Sequence, residues 1–312
     1  MIKENHYYDS ADGATKIHSI IWKPDGEVKA VLQIVHGMIE YIDRYDDFAS
    51  FLTEHGYLVA GEDHLGHGES VQDDSYHGYF GEKGNEYVIS DIHSLRLKLN
   101  ADYPNVPYFI LGHSMGSFLV RQYLTEDEGG YSNGVAGAII MGTGWQPAIA
   151  LTAGKALASI SGALRGKRKP TKLVEAIAFG SYLKKIENPR TISDWISRDE
   201  EIVDKYVKDP WCTFKFSTNG YVTMFSAIQK SQDTDRMSKL NPEMPILFCS
   251  GAEDPVGNYG EAVRKAFTVY SENTKCQIDI KLYEDDRHEI LNELDRDVVY
   301  DDLLTWMEET QN

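Results

Sequence analysis

Apolar residues fall along this chain in two rhythms. Residues 30–35, 57–60, 108–111, 135–141, 244–251 and 276–283 are short, mostly apolar runs rich in β-branched and aromatic residues. Runs of this kind predict strands, most of them buried on both faces. Between the runs, apolar residues recur at three- and four-residue spacing. Residues 41–55 place Tyr45, Phe48, Ala49 and Leu52 on one side, and Gly56 follows as a stop. Residues 84–103 repeat the pattern with Val88, Ile92, Leu95 and Leu99, and end before Pro104 and Pro107. Two more helices are predicted near 258–270 and 296–309. Ahead of these, residues 5–23 read as a β-hairpin, with a turn cluster at 9–13. Alternating strands and helices imply an α/β architecture: a mostly parallel eight-stranded sheet with helices on both faces.

The rhythm breaks once. From about 148 to 240, helical patterns follow one another without an intervening strand. The chain therefore divides into a core, 1–144 and 241–312, and a helical cap inserted at 145–240. An insertion after a parallel strand lies over the strands' C-terminal ends, where open α/β sheets bind their substrates. Charge marks the same segment. The net charge is −18, yet residues 145–240 carry a net +6 against −24 for the remainder. An acidic chain of this kind is not expected to bind nucleic acid. Met1 to Asp9 lacks the apolar stretch of a secretory leader, and no apolar run is long enough to span a bilayer. Cys212, Cys249 and Cys276 are odd in number and widely spaced. They read as free thiols in a reducing compartment, so a cytoplasmic protein is expected. No His, Cys or carboxylate spacing suggests a metal site, and no cofactor is expected.

One stretch carries candidate chemistry. The apolar run 108–111 passes through Gly112-His113-Ser114-Met115-Gly116 and continues as an amphipathic helical pattern. A serine on a sharp strand-to-helix turn projects its Oγ beyond the sheet edge. The Met115 amide, opening the new helix, faces the place where an oxyanion would form. A serine hydroxyl needs a base, and the base needs an orienting acid. Both should follow at the ends of later strands. Asp254 follows the 244–251 run and precedes Pro255; His288 follows the 276–283 run and is the last histidine of the chain. Glu253, Asp285 and Asp286 are the rival acids. Met38, in the His36-Gly37-Met38 loop after the 30–35 run, offers the second oxyanion amide. His36 and His113 read as loop-orienting residues, not bases.

These motifs resemble the monoacylglycerol lipase/lysophospholipase group of α/β-hydrolases, also called serine aminopeptidase-like. The resembling pieces are 36–45 (His-Gly-Met-Ile-Glu-Tyr-Ile-Asp-Arg-Tyr), 63–70 (Asp-His-Leu-Gly-His-Gly-Glu-Ser), 112–116, 251–257 and 287–293, with 209–216 similar to that group's cap. The resemblance implies an α/β-hydrolase fold, Ser114 as nucleophile, Asp254 as acid, His288 as base, and Met38 and Met115 as oxyanion donors. It implies a small-molecule acyl ester substrate, a monoacylglycerol or lysophospholipid. It also sets Glu40 and Arg44 near the alcohol part of the substrate; their spacing equally fits an i,i+4 pair on a helix surface. Ile39 and Ser117 depart from the glycines common in the group, and a branched residue at 39 narrows the alcohol side.

Residues 149–164 are apolar and small, and a basic run, 165–169, follows. This reads either as a lid making weak peripheral contact with anionic lipid, or as a packed helix with cations at its negative end. The sequence leaves open a short-chain esterase, thioesterase or peptidase with the same triad, an acyltransferase, and a ligand-binding protein on a hydrolase scaffold.

Overall fold

A computed structural model describes residues 1–311. Eight strands form one sheet: β1 (Ile2–Asp9), β2 (Lys16–Lys23), β3 (Ala30–Val35), β4 (Tyr57–Glu62), β5 (Tyr108–His113), β6 (Gly137–Met141), β7 (Ile246–Gly251) and β8 (Ile278–Tyr283). Their order across the sheet is β1-β2-β4-β3-β5-β6-β7-β8. The hairpin pairs antiparallel at one edge, and all pairs from β4 to β8 are parallel.

The apolar runs become central strands because both faces are covered. In β5, Ile110 points into one core while Phe109 and Leu111 point into the other; β6 and β7 alternate in the same way. One face is covered by α1 (Asp46–Glu54), entered through a 3₁₀ turn at Ile42–Tyr45. The opposite face takes α2 (Asn85–Asp102) and α3 (Met115–Tyr123). Val88, Ile92, Leu95 and Leu99 of α2 are buried, as their spacing predicts.

Five helices lie between β6 and β7: α4 (Ala148–Arg165), α5 (Lys172–Phe179), α6 (Glu200–Lys208), α7 (Thr218–Ser231) and α8 (Thr234–Met237). Residues 145–240 thus hold no sheet strand. Leu151 and Ala158 of α4 and Val174 of α5 are buried in the main core cluster. Tyr221, Ala227 and Ile228 of α7 and Met237 of α8 join the main core beside α3. Helix α4 lies on α7 through small residues: a Cβ at Gly154 would fall 2.9 Å from the Phe225 ring, and one at Gly162 2.9 Å from Thr218 Oγ1. The chain closes with α9 (Glu261–Asn273), on the α3 face, and α10 (Arg296–Glu309), which packs with α1. No helix among the described residues is long and apolar enough to cross a membrane.

Candidate active site

The strand-to-helix turn holds Ser114 alone between β5 and α3. Its backbone, φ 52° and ψ −119°, is one that L-residues seldom adopt. Two close approaches fix this turn. A Cβ at Gly116 would lie 1.9 Å from the Val35 carbonyl oxygen, and one at Gly112 2.4 Å from that of Gly116. Ser114 N donates to the Met141 carbonyl at 3.0 Å, and Ser117 Oγ donates to the Ser114 carbonyl at 2.6 Å. Ser117 thus braces the elbow. Ser114 is half-buried, and its Oγ has no hydrogen-bond partner among the described residues.

Asp254 and His288 come together from loops after β7 and β8. His288 Nδ1 lies 2.9 Å from Asp254 Oδ2, and both residues are buried. The carboxylate is fixed further by Val256 N on Oδ1 at 2.8 Å and Ser250 Oγ on Oδ2 at 3.2 Å. The rivals stand elsewhere. Glu253 and Asp285 are exposed, and Asp286 pairs with Arg198. The His288 ring lies 4.8 Å from that of His113, the residue before Ser114, and 5.0 Å from that of Trp195, which comes from residues 145–240, tilted 43° and 42° to them. All three predicted residues therefore gather at one end of the sheet. Ser114 and His288 do not hydrogen-bond in this arrangement.

The His36–Met38 loop approaches the serine closely; a Cβ at Gly37 would fall 2.9 Å from Ser114 Cβ. Gly37 N donates to Glu40 Oε1. The Met38 and Met115 N–H groups have no protein acceptor among the described residues, and Met115 opens α3. His36 donates from Nδ1 to the Gly37 carbonyl at 2.8 Å and accepts His64 N on Nε2 at 2.9 Å. Burial, with His64 and His67 nearby, holds its pKa well below the ordinary imidazole value. It is a neutral loop brace.

Glu40 and Arg44 spend their polar atoms on the protein itself. Buried Glu40 accepts from Gly37 N, from Arg44 Nη1 at 3.0 Å and from Tyr45 OH at 3.1 Å, and it pairs with His113 Nδ1 at 2.9 Å. Burial alone would push the Glu40 carboxyl up, but His113 and Arg44 hold it well below the usual carboxylate range. Burial alone would push His113 down, but Glu40 raises it. His113 Nε2 also lies 3.3 Å from the His288 carbonyl. Arg44 grips Glu289 with two bonds of 2.7 Å and lies 4.9 Å over the Tyr206 ring. This is a buried network that ties the His36–Met38 loop to the His288 loop, not an exposed helix pair.

Sequence reasoning gave no role to Glu289, Trp195, Tyr206 or Arg198. Glu289 adjoins His288 and could have been suspected on that ground, but its partner Arg44 lies 245 positions away. The segment 145–240 also clasps the His288 loop. Glu289 N donates to the Ile196 carbonyl at 2.7 Å. Arg198 reaches Glu293 at 3.0 Å and Asp295 at 2.6 Å, beside Asp286. Asp286, Glu293 and Asp295 are the one acidic cluster among the described residues close enough to hold a cation, and the Arg198 guanidinium lies among them.

The geometry has clear relatives. The family model for serine aminopeptidase, S33, matches residues 26–295. The chain is 28% identical to the monoglyceride lipase of Rattus norvegicus, over 92% of this chain and 84% of that one. It is 25% identical to the monoglyceride lipase homolog of Monkeypox virus, over 93% and 94%. Among solved structures, a thermostable carboxyl esterase from Bacillus coagulans, in complex with glycerol, superposes with a TM-score of 0.91 at 28% identity, covering 99% of both chains. With that match spanning most of its length and the sheet order described above, this chain belongs to the serine aminopeptidase S33 family of α/β-hydrolases.

Proposed function

We propose that this protein is a serine carboxylic-ester hydrolase acting through an acyl-enzyme on Ser114. The observation that carries the reading is the buried 2.9 Å pair of His288 Nδ1 and Asp254 Oδ2, set beside a serine on a strained elbow. Ser114 Oγ attacks the acyl carbonyl carbon as His288 Nε2 takes its proton. The Met38 and Met115 amides receive the oxyanion, and the C–O bond to the alcohol breaks as His288 returns the proton to it. Water then repeats the sequence and releases the acid. Asp254 keeps the proton on Nδ1 and stabilises the imidazolium.

The substrates we propose are single-acyl lipids, monoacylglycerols or lysophospholipids. Support comes from the relatives named monoglyceride lipase. The similarity to a carboxyl esterase favours one further reading, a shorter-chain esterase. Hydrolysis of p-nitrophenyl esters from acetate to palmitate, with monoacylglycerol and lysophosphatidylcholine alongside, separates the two. Preference for medium or long chains upholds the lipid reading, and activity on acetate alone replaces it with the esterase. Activity that survives in Ser114→Ala sinks both.

The cap's outer face supports contact with anionic lipid. Ile149, Ile160 and Leu164 of α4, with Leu173 and Ile177 of α5, are 58–86% exposed beside the basic run 165–169. Two of those cations also have protein partners: Lys167 pairs with Glu82 at 2.5 Å, and Arg168 lies 4.5 Å over Tyr76. Replacing Lys167, Arg168 and Lys169 with Gln should weaken sedimentation with anionic vesicles; unchanged sedimentation removes the contact.

A further inference from the structure

Ile39 is the one β-branched residue with positive φ among the described residues, at 58°. A branched Cβ crowds the backbone in the left-handed region, so this conformation needs outside support. The need is acute here. The turn at Ile39 brings Glu40 back onto Gly37 N and leaves the Met38 N–H without a protein partner. Hydrogen bonds hold both flanks: Gly37 N on Glu40, and Ile42 N on Asp63 Oδ1 of another loop at 2.8 Å. Among the described residues the Ile39 carbonyl has a single partner, Tyr206 OH at 3.1 Å, and Tyr206 comes from α6 of the cap.

We propose that Tyr206 is a positioning residue whose hydroxyl, by holding the Ile39 carbonyl, keeps the strained loop in the shape that aims the Met38 amide at Ser114. The inference rests on the hydrolase reading above and adds to it a dependence of the oxyanion loop on the docked cap. The surrounding contacts make α6 and this loop one unit. The Arg44 guanidinium lies on the Tyr206 ring, Tyr41 OH donates to Asp209 Oδ2 at 2.7 Å, and the Tyr41 and Trp211 rings meet edge to face at 5.0 Å. Those contacts survive when Tyr206 loses only its hydroxyl. Tyr206→Phe therefore isolates the bond to Ile39, because phenylalanine keeps the ring beneath Arg44.

The test is a cycle of Tyr206→Phe and Ile39→Gly, with kcat counted per serine titrated by a fluorophosphonate probe. One hydrogen bond shifts a two-conformation loop by roughly fivefold. Tyr206→Phe should lower kcat by about that factor and leave KM within about twofold, since the oxyanion forms only in the transition state. Glycine takes a positive φ without strain, so Tyr206→Phe in the Ile39→Gly background should cost less than about twofold. Four results overturn the proposal. They are an equal loss in both backgrounds, a loss confined to KM, an unchanged kcat per titrated serine, and a loss seen only as fewer titratable serines. Hydrolysis that does not require Ser114 overturns the reading of the site, and the clamp with it. Serine-dependent hydrolysis indifferent to Tyr206→Phe overturns the clamp alone.

Discussion

The ion pair between Arg44 and Glu289 offers the sharpest test of how the site is held. Arg44 joins the two loops to which the proposed mechanism gives the oxyanion amide of Met38 and the base His288. The side chains of Arg44, Glu40 and Glu289 are 12%, 6% and 5% exposed, so solvent screens the charges little. Arg44→Met strands Glu289, which keeps only Asn292 Nδ2 at 3.0 Å, while Glu40 retains His113, Tyr45 and Gly37. Breaking a buried pair from one side costs about 3–5 kcal/mol. The lower end applies because one partner stays satisfied, so about 3 kcal/mol is expected. With about 2.1 cal/mol/K of unfolding entropy per residue over 312 residues, that is a fall in Tm of about 5 °C. Glu289→Gln should cost about 2 kcal/mol, because Arg44 still has Glu40. The double variant strands no charge, and its cost should fall short of the sum by about 2 kcal/mol. Urea unfolding of the four proteins, read with ester hydrolysis, measures this. Single-variant costs below about 1 kcal/mol, or strict additivity, would refute the brace.

Three further outcomes are expected. Asp254→Asn should lower kcat about 10⁴-fold in p-nitrophenyl ester hydrolysis, because the amide cannot keep the His288 proton on Nδ1. Gly116→Ala should fail to accumulate as soluble protein, since its Cβ would sit 1.9 Å from the Val35 carbonyl oxygen; a normal yield with an unchanged Tm would contradict the elbow geometry. Asp91, which holds Ser10 and Ala11 of the hairpin turn, has its pKa pushed up to about 7, first by burial and then by Glu62 and Asp12. The folded protein keeps this proton until about pH 7 and the unfolded chain loses it near pH 4, so stability declines as pH rises between the two, by about 4 kcal/mol in all. Asp91→Asn should flatten that decline in the unfolding midpoint; parallel pH curves would count against it.

Much of the fold was legible because the sheet is buried on both faces. Continuous apolar runs such as 135–141 have few other destinations, and the residue after each run marks the site end of the sheet. The closing helix predicted at 296–309 is observed there, as α10. Local chemistry was legible for the same reason: Ser114 sits at a turn whose glycines are demanded by the Val35 and Gly116 carbonyls. What stayed hidden was pairing across long sequence separations. Nothing near Arg44 announces Glu289, and nothing near Tyr206 announces Ile39. The pattern at 41–55 misses a 3₁₀ turn because Ile42 N answers to Asp63 on another loop. Periodicity tells that a helix has a buried side, not which neighbour buries it.

The position of the cap between β6 and β7 also has a consequence in time. The ribosome delivers Met38, Ser114, Met115 and all of residues 145–240 before Asp254 or His288. Asp254 and His288 belong to the final stretch after Ile246, with β7 and β8 adding to the rim of a sheet whose other six strands precede them. At about 5–20 residues per second, the end of β8 trails residue 240 by about 2–9 seconds. Through that interval the nascent chain carries a nucleophile without its proton acceptor, and on the proposed mechanism it is catalytically silent until the last strand is in place.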